Sequence, residues 1–150
     1  MELSQDSKEW LLLLNQHRVE YVIVGAHALA LHGAPRFTND LDVLVRCSPE
    51  NAKRLMDALD DFGFGQMSGL SRSDFEAEGT VVQLGRAPNR IDITTKLTGV
   101  ESADVFEKSE NGKMGGIPVR FISREHFVQN KLATGRTKDL ADAERIQRKV

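Results

Sequence analysis

The chain has 150 residues and a mass of 16.7 kDa, enough for one domain that buries about two-thirds of its unfolded surface. Hydrophobic residues make up 40% and charged residues 28%, and the longest apolar run, Trp10 to Leu14, is five residues, which excludes disorder, a disulfide scaffold and a membrane span. The net charge of −2 hides an asymmetry: residues 1–119 carry 12 Lys and Arg against 18 Asp and Glu, and residues 120–150 carry 8 against 4. One cysteine, Cys47, forms no internal disulfide and is expected to pack as a small hydrophobe; with no secretory signal pattern at the N-terminus, the cytoplasm is the expected compartment.

In chain order, Ser4 to about His17 predicts a helix capped by Ser4 or Asp6, with Trp10 and its leucines facing a core. Glu20 to Val24 is aromatic and β-branched and reads as a buried strand ended by Gly25. Ala26 to Leu31 is a short small-residue helix, stopped by Gly33 and Pro35; His27 and His32, five apart at its two ends, are expected to pack and not to bind metal. Asp40 to Arg46 is a second strand, and Ser48-Pro49 starts a helix running to about Phe62. Residues 64–78 read as loop, with a short helix at most around Ser71 to Phe75. Thr80 to Leu84 and Arg90 to Thr94 predict a hairpin turned at Pro88-Asn89. Val100 to Ser109 reads as a helix, Gly112 to Gly116 as a turn, and Ile117 to Ile122 as a strand that Pro118 pushes to a sheet edge. Ser123 to Ala133 and Thr137 to Lys149 are helices separated by Gly135. The expected architecture is an α/β or α+β fold, with residues 1–150 as one domain on a mixed sheet of about four to six strands flanked by helices.

The most informative residues are acids in strands. Side chains two apart share a face, so Asp40 and Asp42 project together while Leu41 and Val43 enter the core. Paired carboxylates repel unless a cation lies between them, and hard oxygen donors suit Mg²⁺ bound together with substrate phosphates. The competing reading is that Asn39-Asp40 closes a turn and Asp42 is merely solvated. A third acid, Asp92, lies in another β-branched strand; if that strand pairs beside Asp40 to Val45, three carboxylates meet at one edge. Three acids around two cations clamp the attacking and leaving oxygens of a phosphoryl displacement. Gly25 and Ala26, between a strand and a helix, leave room for phosphate oxygens to approach backbone N–H groups.

Gly25-Ala26 followed by Asp40-Leu41-Asp42 and a later Asp92 resembles the DNA polymerase β-type nucleotidyltransferase superfamily. The fuller string, with His32-Gly33, Arg36 and Thr38 before the acids, and a second motif, Lys131, Arg136, Lys138-Asp139 and Asp142, resemble the bacterial AbiEii-type branch, rich in toxins of toxin–antitoxin systems. These matches run from Tyr21 to Asp142. The resemblance implies a minimal nucleotidyltransferase fold whose C-terminal helices, about 123–149, complete the site. It implies two Mg²⁺ ions (Mn²⁺ can substitute) on Asp40, Asp42 and Asp92, with Asp92 also taking the acceptor proton. It implies transfer of NMP from an NTP to an acceptor hydroxyl on a protein, a tRNA or a small molecule, with release of pyrophosphate.

Lys131 and Arg136 are the candidates for the triphosphate, the alternative being helix-end cations beside Gly135. Asp139 belongs to the site in the related toxins, but in a first helical turn it is also stabilised by the dipole, with Thr137 as the expected cap. Arg36 is a candidate for a phosphate and Thr38 for orienting Asp40; Lys138 and Asp142, spaced i,i+4, are expected to pair. Ala26 departs from the serine of many relatives and removes a hydroxyl, which motivates an alternative: a module that binds NTP without productive transfer. An antitoxin-like partner chain is the further expectation; no membrane partner is expected.

Overall fold

The computed structural model describes residues 3–63, 69–86 and 89–148. Its elements in chain order are α1 (Gln5–Gln16), β1 (Tyr21–Val24), α2 (Gly25–Leu31), β2 (Leu41–Val45), α3 (Pro49–Phe62), a 3₁₀ turn (Arg72–Phe75), β3 (Val81–Arg86), β4 (Asn89–Thr94), α4 (Ser102–Glu107), β5 (Glu110–Met114), β6 (Ile117–Phe121), α5 (Arg124–Thr134) and α6 (Thr137–Arg148). The strands form a sheet in the order β3-β4-β2-β1-β6-β5. β1 runs antiparallel to β2, while β2 with β4 and β1 with β6 are parallel, so the sheet is mixed as the sequence predicts.

The central strands have the most apolar sequences because they are covered on both faces. Ile23, Leu41, Leu44 and Ile93 are fully buried. α1 turns Trp10, Leu11 and Leu14 inward, and the Trp10 ring meets Phe62 of α3 at 5.3 Å between centroids. Ser4 caps α1 by accepting the Ser7 N–H, and Ser48 caps α3 by accepting the Asn51 N–H. Asn51 is buried, and its amide joins three backbone groups: it accepts Glu20 N–H at 2.7 Å and donates to the carbonyls of Glu20 (3.0 Å) and Arg46 (2.7 Å). That clamp ties the start of β1 to the end of β2 and sets the register in which Val24 lies opposite Asp42.

The structure departs from the sequence reading at β5. Its residues, Glu110-Asn111-Gly112-Lys113-Met114, are polar and mostly exposed, and no alternation marks them as a strand. The hairpin with β6 is made by Gly115 and Gly116, both at positive φ (56° and 81°), as a two-residue primed turn requires. β5 is therefore the edge strand, and Pro118 lies on its inner neighbour. β6 shares only the pair Ile23↔Phe121 with β1, so Pro118 lies beyond that shared register, and its carbonyl accepts from the Asn15 side chain at 2.8 Å. The helix expected over 100–109 is shortened to α4, and α6 begins at Thr137, with the Arg136 carbonyl accepting from Leu140 N–H, so Thr137 is inside the helix and not its cap. Pro88 of the expected hairpin turn, residues 64–68 of the expected loop and Lys149 lie outside the described residues. No helix among the described residues is long and apolar enough to cross a membrane.

Candidate active site

Parallel pairing of β2 with β4 places Asp42 directly beside Asp92. Antiparallel pairing of β2 with β1 brings the same Asp42 opposite Val24, one residue before the turn into α2. Gly25 makes that turn at φ +71°, and a Cβ built there would lie 2.2 Å from Asp42 Oδ2. Only glycine meets both conditions: L residues resist that backbone conformation, and the carboxylate occupies the space a side chain would take.

Burial raises the Asp42 pKa to about 7, assisted by the adjacent Asp92 carboxylate and by the charge of Asp40, and opposed by the Lys131 ammonium. Asp40 precedes β2, at the rim. Arg90, two residues before Asp92 on β4, joins these acids: its Nη2 lies 3.5 Å from Asp40 Oδ2, and its Nε 3.3 Å from Asp92 Oδ1.

A cleft of about 340 Å³ opens over Gly25 and Ala26. Its acidic wall is Asp42 and Asp92; its basic wall is Arg36 together with Lys131, Arg136 and Lys138 from the α5–α6 corner. Asp139 organises that corner. Its carboxylate accepts the Thr134 hydroxyl at 2.7 Å and pairs with Lys131 Nζ at 3.4 Å and Arg136 Nε at 3.5 Å. Burial alone would raise its pKa; the Thr134 hydrogen bond and the Lys131 charge more than offset this and hold it below the usual carboxylate range. Lys131 also lies 5.3 Å above the Phe127 ring, so its ammonium is held from two sides. A larger cleft, of about 440 Å³, lies at the other end of the sheet between Tyr21, Arg46 and Arg120, and none of the expected site residues line it.

Gly25, Ala26, Arg36, Asp42, Asp92, Lys131, Arg136 and Asp139 thus share one cleft, whereas Asp40 and Thr38 do not line it. One expectation is corrected. Asp142 is buried and pairs with Arg36 at 3.4 Å, not with the exposed Lys138, because α6 turns it toward the segment before β2. The Thr38 hydroxyl accepts the backbone N–H of Asp40 at 3.1 Å, so it holds Asp40 through the main chain before β2. The histidines pack as expected: His27 is buried, and the His32 ring meets the Ile122 carbonyl at 2.8 Å. Arg90 and Thr134 were not singled out from the sequence. The two-residue step from Arg90 to Asp92 was a usable signal for the first; nothing in the pattern marked the second.

Among the described residues, no group of three or more Asp, Glu, His and Cys side chains is gathered closely enough to form a complete metal site. The Asp42–Asp92 pair nevertheless fits a hard divalent cation. Asp92 Oδ1 is buried without a hydrogen-bond partner, and both donors are carboxylate oxygens, which Mg²⁺ accepts when substrate phosphates complete its shell.

No curated protein matches the chain. Several solved structures share its fold. An inferred nucleotidyltransferase from Thermotoga maritima, TM1012, is 15% identical with a TM-score of 0.60, covering 96% of this chain and 91% of its own. The antibiotic-resistance factor ANT(2'')-Ia is 14% identical with a TM-score of 0.59, covering 96% and 82%. The lincosamide antibiotic adenylyltransferase LnuA, bound to lincomycin, is 11% identical with a TM-score of 0.55, covering 98% of both chains. These likenesses establish the fold, and a family model of nucleotidyltransferases of unknown function, DUF6036, matches residues 1–147. With acids on adjacent strands, a glycine turn beneath them and that match over nearly its whole length, the chain belongs to the DUF6036 nucleotidyltransferase family.

Proposed function

We propose that the protein transfers the nucleoside monophosphate of an NTP to an acceptor hydroxyl and releases pyrophosphate, using Asp40, Asp42 and Asp92. The observation that carries this reading is the Asp42↔Asp92 register over Gly25, facing Lys131 across one cleft. Bound to the acids, Mg²⁺ or Mn²⁺ would neutralise charge on the α-phosphate and the leaving oxygen. Lys131, Arg36 and Arg136 bind the β- and γ-phosphates, which the small residues Gly25 and Ala26, lining the same cleft, allow close to the acids. The acceptor oxygen attacks the α-phosphorus, the bond from that phosphorus to the pyrophosphate oxygen breaks, and the acceptor proton passes to Asp92. In this reading residues 1–150 act as one catalytic domain in the cytoplasm.

A protein, a tRNA 3′ end and a small molecule each supply a hydroxyl; LnuA, of this fold, is a lincosamide antibiotic adenylyltransferase. The test is incubation with each α-labelled NTP, Mg²⁺ and all three acceptor classes. Label on one class, with pyrophosphate released and both lost in Asp42→Asn, supports transfer. A second reading, NTP binding without transfer, is favoured by Ala26, which is buried and offers no hydroxyl to the triphosphate. It predicts saturable NTP binding with no pyrophosphate from any acceptor. As a toxin restrained by a partner chain, the protein would arrest growth on expression, and Asp40→Ala would relieve the arrest; harmless expression of an active wild type contradicts that role.

A further inference from the structure

We propose that Arg90 is the internal counter-cation of the acids: in the metal-free protein its guanidinium bridges Asp40 and Asp92, and it moves off them when a divalent cation binds. The inference rests on the reading above that these acids hold such a cation. It makes Arg90 a positioning residue whose fork and the metal compete for the same carboxylate oxygens.

Arg90 and Asp92, two apart on β4, face the same way, and Asp40 approaches from the start of β2. One guanidinium therefore reaches both acids, with Nη2 3.5 Å from an oxygen of each. These contacts are longer than the ~2.8 Å usual for a charge-assisted hydrogen bond. Arg90 Nε and Asp92 Oδ1 lie 3.3 Å apart, yet both are buried without a hydrogen-bond partner. Arg90 supplies charge without satisfying the oxygens it faces. A divalent cation at about 2.1 Å would satisfy them, and at that range it would repel the guanidinium.

Retreat is open to Arg90, because its side chain is 37% exposed and departs from the second residue of β4, next to the exposed Asn89. The consequence is an order of binding. Metal alone has to displace Arg90 without offering it a new partner, whereas metal arriving with a triphosphate brings phosphate oxygens to which the freed fork can turn. The acids stay assembled between turnovers, and the cation is taken up tightly only with nucleotide.

The experiment is an EPR titration of Mn²⁺ on the wild type, Arg90→Gln and Arg90→Lys, counting only the site lost in Asp42→Asn. We expect Arg90→Gln to bind Mn²⁺ about three- to thirtyfold tighter than the wild type, the range set by one or two partly exposed ion pairs. Arg90→Lys, which keeps the charge without the bridging fork, is expected between the two and serves if the neutral variant does not fold. NMR separates displacement from a simple charge effect: the Arg90 Nε–H signal, assigned by its loss in Arg90→Lys, should shift and exchange faster with water when Mg²⁺ is added. Wild-type Mn²⁺ binding with equal or weaker affinity in Arg90→Gln, or an unmoved Nε–H signal, overturns the role of Arg90 and leaves the metal reading standing. No Mn²⁺ site in any of the three proteins overturns both.

Discussion

Asp42 links the chemistry of this protein to its stability. In the metal-free fold it keeps its proton up to about pH 7, chiefly because it is buried. In an unfolded chain it releases that proton near pH 4. Between those values the native state binds more protons than the unfolded one, so the contribution of Asp42 to stability is full below about pH 4 and lost as pH rises to about 7. His27 works the other way: burial lowers its pKa, so protonation on acidification favours unfolding. The measurement is therefore a difference, the melting temperature in EDTA of Asp42→Asn minus that of the wild type. It should grow from pH 5 to pH 8; a constant difference would show that Asp42 carries its charge without strain. Gly25 is bound to the same residue through space. Gly25→Ala should cost about 1–2 kcal/mol for its backbone conformation alone. It should also push Asp42 aside, because the new Cβ would fall 2.2 Å from Oδ2. A lowered melting temperature with Mn²⁺ binding lost is expected; a variant binding Mn²⁺ as the wild type does would contradict the close approach.

Among the elements, what could be read from sequence followed burial. β1 and β2 are buried on both faces and β4 on one, and their β-branched runs announce strands in which a lone acid is conspicuous. α1, α3 and α5 are capped by Ser4, Ser48 and Ser123; Ser48 is the cap the sequence offers, and Ser4 is one of the two it offers for α1. β5 is not legible because an exposed edge strand has no buried face to impose alternation, and Gly112 reads as a turn residue. Pairings across elements were invisible for a related reason: Arg36 with Asp142 joins residues 106 positions apart, and nothing local favours it over Lys138 with Asp142. The parallel β2–β4 pairing was conditional in the sequence and is what brings Asp42 to Asp92. Asn51 shows how one element sets another's register. Asn51→Ala would strand three backbone groups at the β1–β2 junction and should lower the free energy of unfolding by about 2–4 kcal/mol in urea. Solvent reaching those groups freely would hold the loss below about 1 kcal/mol and contradict the clamp.

Over the whole molecule, charge is arranged by strand and helix. Acids of the sheet form one wall of the cleft, and the basic residues of the C-terminal helices form much of the other. The excess of positive charge in residues 120–150 is thus partly a feature of the site, through Lys131, Arg136 and Lys138. Asp139 and Thr134 hold that corner in place, and Arg36 with Asp142 ties it to the segment leading into β2. Under the proposed function, this charge pattern is a seat for a metal–triphosphate complex. The most direct measurement is a crystal structure with Mn²⁺ and a non-hydrolysable NTP, with the metal located by anomalous scattering. The account predicts Mn²⁺ between Asp42 and Asp92 and the triphosphate running toward Lys131. Nucleotide bound in the larger cleft beside Arg120, with no metal on the acids, would contradict it.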